Sequence, residues 1–206
     1  AAMIASGQAD VLVAGGVESD SRRCYVMEKP TQAYQNQPPQ WAEIRNAPKP
    51  EDAISMVMTA ENLAEKYGIS RQECDAFALS SHQKAATAWE AGRFDDQVIP
   101  LEVPLGKGKT ASFERDEALR PDSNMDSLSK LRPVLKEGGV VTAGNSSPLS
   151  DGAGAAVVMA REKAEAVVLP ILAKFVASAA AGVDPKNLGH GPGGATEKLL
   201  APTGRR

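Results

Sequence analysis

The chain has 206 residues, 42% hydrophobic and 24% charged, the usage of an ordinary globular protein and not of a disordered or fibrous one. Its formal net charge of −3 gives no global grip on nucleic acid or anionic lipid, and no apolar run reaches the roughly 20 uninterrupted residues of a membrane-spanning helix. Cys24 and Cys74, without C-x-x-C or metal-type spacing, argue against a disulfide framework or zinc site and fit a reducing, cytoplasmic setting.

Ala1 to Ser6 reads as the last turns of a helix closed by Gly7, and a chain opening in this way without Met is expected to begin inside a longer protein. Asp10 to Ala14, DVLVA, is apolar on both faces and predicts a buried strand of a mostly parallel sheet. Gly15 to Pro50 then turns polar and proline-rich, too long for a simple connection, and reads as an excursion or subdomain boundary.

Two helices follow. One runs from about Thr59 to Tyr67; the other opens at Ser70, with Glu73 three residues on as a capping box, and closes at Gly92. Cys74, Phe77, Ala78, Ser81, Ala85, Ala88 and Trp89 fall at helical spacing and predict its buried stripe. QVIPLEVPL predicts a proline-interrupted edge strand, followed by a polar segment and a short helix near Ser127 to Leu131. A strand over AGAAVVMA, a helix over REKAEA, a strand over ILAKFVASAA and a helix after Gly194 complete the chain. Strand, helix, strand at both ends, with loops and helices between, predicts α/β with an inserted domain.

Among candidate motifs, GKGKT at Gly106 to Thr110 has the ending of a phosphate-binding loop, but Val103 stands where that pattern needs glycine, so a solvated basic loop is favoured. Cys74 and His82 lie eight residues apart, about 12 Å along a helix, beyond the reach of a nucleophile and its base. His190, between two glycines, has no assignable partner and reads as an ordinary loop histidine. The stretch TAGNSSPLSDGAGAAVVM sets Asn145, Ser146, Ser147, Ser150 and Asp151 at the entrance of a strand. Such neutral groups and glycines suit either a ligand-facing loop or a tight turn.

TAGNSSPLSDGA resembles the corresponding loop of the thiolases, the acetyl-CoA acetyltransferases and 3-ketoacyl-CoA thiolases. ADVLVAGGVESDS is similar to their strand and GGxESMS turn, EDAISMVMTAENLAEKYGISRQECDAFALSSHQKA to their loop-domain helices, and SKLRPVLKEGGVVTAGN to the approach to the ligand loop. The resemblance runs in order from Ala1 to about Lys198.

It implies an incomplete thiolase-like α/β fold. Residues 1–17 would end the N-terminal half, 18–143 would form the CoA-binding loop region, and 144–206 would return to the N-terminal half and start the C-terminal one. It implies an acyltransferase of fatty acid metabolism that cleaves 3-ketoacyl-CoA with CoA, or condenses two acetyl-CoA, through an acyl-cysteine. Coenzyme A and acyl-CoA would be substrates, with no permanently bound cofactor, no metal, no nucleic acid or membrane partner, and a homo-oligomer, dimer or tetramer, as the complete assembly.

By position, Arg120 matches the family's arginine near the CoA adenine and phosphates, and Ser127 a polar contact in the same region. Leu135 stands where many members have phenylalanine against CoA, Ala143 and Ser147 match the loop lining the pantetheine, and Met56 matches a methionine by the acyl end. The family's nucleophilic cysteine would lie ahead of Ala1, and its GHP histidine and CxGGG cysteine beyond Arg206. No catalytic residue is therefore assigned here, and the isolated chain is expected to be inactive. Departures are Asp20 for Met, Val57 for Gly, Ala118-Leu119 for Gly-Pro, Cys24 for Pro and Cys74 for a polar residue. The alternative implied by these losses is a non-catalytic CoA-binding or assembly module derived from a thiolase.

Overall fold

Local capping sets where the central helices begin. The Ser55 hydroxyl accepts from the Met58 N–H at 3.2 Å, so α2 spans Met56–Tyr67, three residues earlier than expected, and it stops at Gly68 with φ 65°. Ser70 and Glu73 form the expected capping box, and α3 spans Arg71–Glu90. The same reciprocal arrangement between Asn124 and Ser127 opens α4, Met125–Ser129, which lies two residues earlier than expected. The computed structural model describes residues 1–30, 32, 38, 40–42 and 47–204, so part of the polar excursion after Gly15 lies outside the described residues.

The chain divides into two compact units. One comprises Ala1–Pro50, Leu149–Val183 and His190–Arg206; the other comprises Glu51–Pro148 and Asp184–Gly189. In the first, α1 (Ala2–Ala5) leads to β1 (Val11–Glu18), which pairs with β4 (Gly152–Met159) from Val11 opposite Met159 to Glu18 opposite Gly152. Asp151, just before β4, accepts from the Ser21 N–H at 2.9 Å and from the Ser21 and Ser19 hydroxyls, tying the exit of β1 to the entrance of β4.

Two expectations fail in this unit. The β1–β4 pair is antiparallel, and Val13 and Val17 are 73% and 78% exposed, because no further strand of the described residues joins the pair. The ILAKFVASAA stretch forms no strand: its apolar pattern finds no ladder partner among the described residues, and Leu172 is 94% exposed. The later helices hold, α5 as Arg161–Ala166 and α6 as Gly191–Thr203.

The second unit packs α2, α3 and α4 around Thr59, Ala64, Ala86 and Leu128, with Glu61, Asp75 and Thr142 buried among them. The inward face of α3 keeps five of the seven residues of the expected stripe, Cys74, Ala78, Ala85, Ala88 and Trp89, all half-buried. It departs from that stripe in that Phe77 is 79% exposed and Ser81 is exposed, while Asp75 and Ala86 are buried and Leu79 and His82 half-buried. Bonding of Asp75 to Arg71 and Asn145 turns the helix so that this carboxylate faces inward.

The edge strand is half of a hairpin. Antiparallel β2 (Leu101–Gly106) and β3 (Lys109–Phe113) are joined by Lys107 and Gly108, both at positive φ, 51° and 72°. Two such residues make the turn whose twist matches the strands. GKGKT is thus a hairpin turn running into a strand, without the following helix that a phosphate cradle requires. The segment read as polar loop accordingly contains β3. Among the described residues no helix is long and apolar enough to cross a membrane.

Candidate functional site

The six candidate residues all fall in the second unit. Met56 is the first residue of α2 and is exposed. Arg120 lies in the irregular segment before α4, and Ser127 is inside α4, where its hydroxyl donates to the Asn124 carbonyl at 2.8 Å. Leu135, Ala143 and Ser147 follow α4 on a folded-back loop, all exposed.

That loop is built by polar groups whose roles are structural. Pro133 bridges Thr142, and the Val134 N–H donates to the Val141 carbonyl at 2.9 Å, which folds the Leu135 arm beside the Ala143 arm. The carboxylate of Glu61, on α2 and only 2% exposed, accepts from the Val140 and Val141 N–H groups at 3.1 and 2.9 Å. The helix that begins with Met56 is thereby fixed against the same arm.

Asn145 completes the turn. Its Oδ1 accepts from the Thr142 N–H at 2.8 Å, while its Nδ2 donates to the Val140 carbonyl at 2.8 Å and to Asp75 Oδ1 at 3.1 Å. Thr142 Oγ1 accepts from the Gly144 N–H at 3.2 Å, which closes a short 3-10 turn over Ala143–Asn145. A Cβ on Gly144 would press on the terminal methyl groups of Leu131 and Leu128, so the turn sits directly against α4 and a larger residue there would have to push those side chains aside.

Asp75, 1% exposed, links this turn to the helices, for its Oδ2 accepts from Arg71 Nε at 2.7 Å and Arg71 Nη2 donates to the Leu128 carbonyl at 2.6 Å. The paired and hydrogen-bonded carboxylate satisfies the condition for burying a charge. Asn145 is therefore part of a tight turn, while the neighbouring Ser146 and Ser147 hydroxyls remain exposed and unbonded among the described residues. Ser150 and Asp151 belong to the first unit, where Asp151 serves the β1–β4 junction. The Ser21 hydroxyl and N–H hold its carboxyl below the usual carboxylate range.

Arg120 is exposed, and its Nη1 donates to the carbonyls of Glu117 and Leu119 at 2.5 and 3.2 Å. Its Nη2 and Nε have no protein partner among the described residues, which leaves N–H groups of a planar guanidinium open to an anion. An open hollow of about 500 Å³ between α3 and α4 is lined by Arg71, Gln72, Asp75, Met125, Asp126 and Ser129, and holds none of the six candidates. Its floor is the Arg71–Asp75 pair already engaged with Leu128 and Asn145.

Cys74 is half-buried on α3, and burial, then the charges of Asp75 and Glu73, push its thiol up from its ordinary value. A thiol so disfavoured as thiolate is a poor nucleophile. Among the described residues no group of three or more His, Cys, Asp or Glu side chains could hold a metal ion. The sequence reading passed over Glu61, Arg71 and Asp75. The i, i+4 charge pair is a sequence signal for Arg71 and Asp75, the Thr-x-x-Asn pattern marks only the turn at 142–145, and Glu61 carries none.

Comparison with known proteins places this architecture. The family described as thiolase, N-terminal domain, matches residues 1–162. An acetyl-CoA acetyltransferase of Pseudomonas aeruginosa is 43% identical over 204 residues, 98% of this chain and 52% of its own length. A probable acetyl-CoA acyltransferase of Staphylococcus epidermidis is 40% identical over 200 residues, 96% of this chain and 51% of its own. Among solved structures, the acetyl-CoA acetyltransferase of Bacillus anthracis superposes with a TM-score of 0.84 at 38% identity, over 99% of this chain and 52% of its own. Human mitochondrial 3-ketoacyl-CoA thiolase in complex with CoA does so with 0.82 at 34%, over 99% and 51%. The chain spans about half the length of the curated relatives it matches. With its α/β fold and the match over residues 1–162, the chain belongs to the thiolase family.

Proposed function

We propose that this chain supplies the CoA-binding part of a thiolase-type acyltransferase, one that cleaves 3-ketoacyl-CoA with CoA or condenses two acetyl-CoA through an acyl-cysteine. The observation that carries the reading is the loop at 142–147: Glu61, Asp75 and Asn145 clamp its base while Ala143 and Ser147 stay exposed. A rigid loop with free hydroxyl groups suits the amides of pantetheine without the entropic cost of ordering it on binding.

In this reading the open N–H groups of Arg120 take phosphate oxygens of CoA, and Ser127 lends a polar contact nearby. Leu135 and Met56, both exposed, offer apolar surface to the thioester arm and the acyl end. Coenzyme A and acyl-CoA are substrates, and the chain has no resident cofactor. The reacting cysteines and histidine are not assigned to Cys24, Cys74, His82 or His190, so the 206-residue chain alone turns over no substrate. The whole enzyme acts as a cytoplasmic homo-oligomer, dimer or tetramer, in fatty acid metabolism.

Thiolysis of acetoacetyl-CoA tests this when the chain is combined in trans with the segments of the Pseudomonas aeruginosa relative that it does not span. Turnover that depends on Arg120 and Ser147 supports the reading. CoA binding without turnover supports instead the non-catalytic module, and absence of both refutes the assignment of the loop.

A further inference from the structure

We infer that His82 is a positioning residue for Arg120: its Nδ1 accepts a hydrogen bond from the Arg120 backbone N–H and so sets where the guanidinium is presented. The inference rests on the reading of Arg120 as a ligand to CoA phosphate.

Residues 114–124, between β3 and α4, form no helix or strand. The bonds within this segment are local. Asp116 Oδ1 accepts from the Ala118 N–H at 3.0 Å, the Arg120 carbonyl accepts from the Ser123 N–H at 3.2 Å, and Arg120 Nη1 turns back on Glu117 and Leu119. These bonds fix the guanidinium relative to its own loop, whose ends are held by Glu114 on Ser112 of β3 and by the Asn124–Ser127 cap of α4.

Between those ends two contacts hold the loop to α3. The Arg115 guanidinium lies 5.6 Å from the centre of the Trp89 ring, and the Arg120 N–H donates to His82 Nδ1 at 3.3 Å. His82 and Trp89 are two turns apart on the inward face of a helix whose Asp75 and Ala86 are buried, so the loop is strapped at two points about 10 Å apart on a rigid support. The strap at His82 acts at Arg120 itself.

Acceptance at Nδ1 requires that this nitrogen carry no proton, which leaves the ring proton on Nε2. A doubly protonated ring would face one N–H with another, and the strap would open. The charged residues along the segment are Glu114, Arg115, Asp116, Glu117, Arg120 and Asp122, with Lys84 the nearest in sequence on α3. None of them makes an ion pair with His82.

The test is calorimetric titration of CoA into the 206-residue chain and its His82→Leu, His82→Asn and Arg120→Ala variants, at about pH 8 and about pH 5.5. His82→Leu is expected to bind CoA about five- to tenfold more weakly, the loss of one positioning hydrogen bond. His82→Asn, whose Oδ1 can stand near the place of Nδ1, keeps wild-type affinity at the higher pH. On acidification the wild type loses more affinity than His82→Asn, since only the histidine can gain a proton there. Equal affinity of His82→Leu and wild type, or parallel loss in wild type and His82→Asn, overturns the inference. If Arg120→Ala binds CoA unchanged, the reading of Arg120 fails and this inference with it; if Arg120→Ala weakens binding and His82→Leu does not, the positioning role alone fails. Should His82→Leu not fold, by circular dichroism, the pH comparison of wild type with His82→Asn decides.

Discussion

Asn145→Ala deletes one acceptor and two donors at the junction of the loop with α3. The Thr142 N–H loses its partner in a residue that is fully buried, and the Val140 carbonyl loses the Asn145 amide. Asp75 Oδ1 is left bare, although Oδ2 keeps Arg71. An orphaned buried polar group costs about 1 to 3 kcal/mol; with the half-buried Val140 at the low end and Thr142 in the middle, the expected loss is about 3 kcal/mol. Urea unfolding followed by Trp89 fluorescence in a Trp41→Phe background reads the second unit selectively, because these are the two tryptophans of the chain. Asn145→Asp is expected to be worse at neutral pH, since it sets a carboxylate oxygen against Asp75 Oδ1, and to recover as acid protonates one of the pair. A loss below about 1 kcal/mol for Asn145→Ala, or an Asn145→Asp variant indifferent to pH, would refute the claim that this amide holds the loop.

Val168, the residue after the C-cap of α5, sits at φ 56° while its neighbour's N–H reaches back to the Ala164 carbonyl. Glycine belongs at such a position, so Val168→Gly should raise the stability of the first unit by about 1 kcal/mol, seen as a higher melting temperature; no rise would count against the strain. Asp151 has its folded-state pKa lowered, chiefly by the Ser21 hydroxyl and then the Ser21 N–H. Its contribution is therefore present above the ordinary carboxylate range and lost as pH falls through the lowered value. Asp151→Asn should flatten the acid limb of stability against pH, and an unchanged limb would contradict this. The uncovered valines of β1 and β4 and the apolar run through Leu172 and Phe175 predict self-association of the isolated chain. A monodisperse monomer in light scattering would argue otherwise.

Signals that act over a few residues were legible in the sequence. The capping box at Ser70, the closing glycine at 92 and the REKAEA helix are local, and each appears where expected. Pairing was not legible: DVLVA has the composition of a buried parallel strand, yet β1 runs on to Glu18 and pairs antiparallel with a segment some 140 residues on, because direction depends on distant chain. GKGK read as a solvated basic loop, and it is exposed, but that it turns a hairpin depends on β3 as its second strand. In the site, the ordered motifs pointed to the right family, while Asn145 stood open between a ligand-facing loop and the tight turn it makes. Its partners Asp75 and Val140 lie on different elements, and one of them, a charged residue inside a helix, carries no outward sign of burial. The stripe on α3 held at Cys74, Ala78, Ala85, Ala88 and Trp89 and missed at Phe77 for the same reason: hydrophobicity chose Phe77, while the polar network chose Asp75.

The most direct measurement is equilibrium titration of CoA against the 206-residue chain beside Arg120→Ala and Ser147→Ala. Saturable binding, weakened by at least about tenfold in Arg120→Ala and less in Ser147→Ala, is the predicted result, because charge-assisted bonds to phosphate outweigh a single neutral hydroxyl. Binding indifferent to both substitutions, or none in a chain shown to be folded, would contradict the assignment of the clamped loop and its neighbouring arginine to coenzyme A.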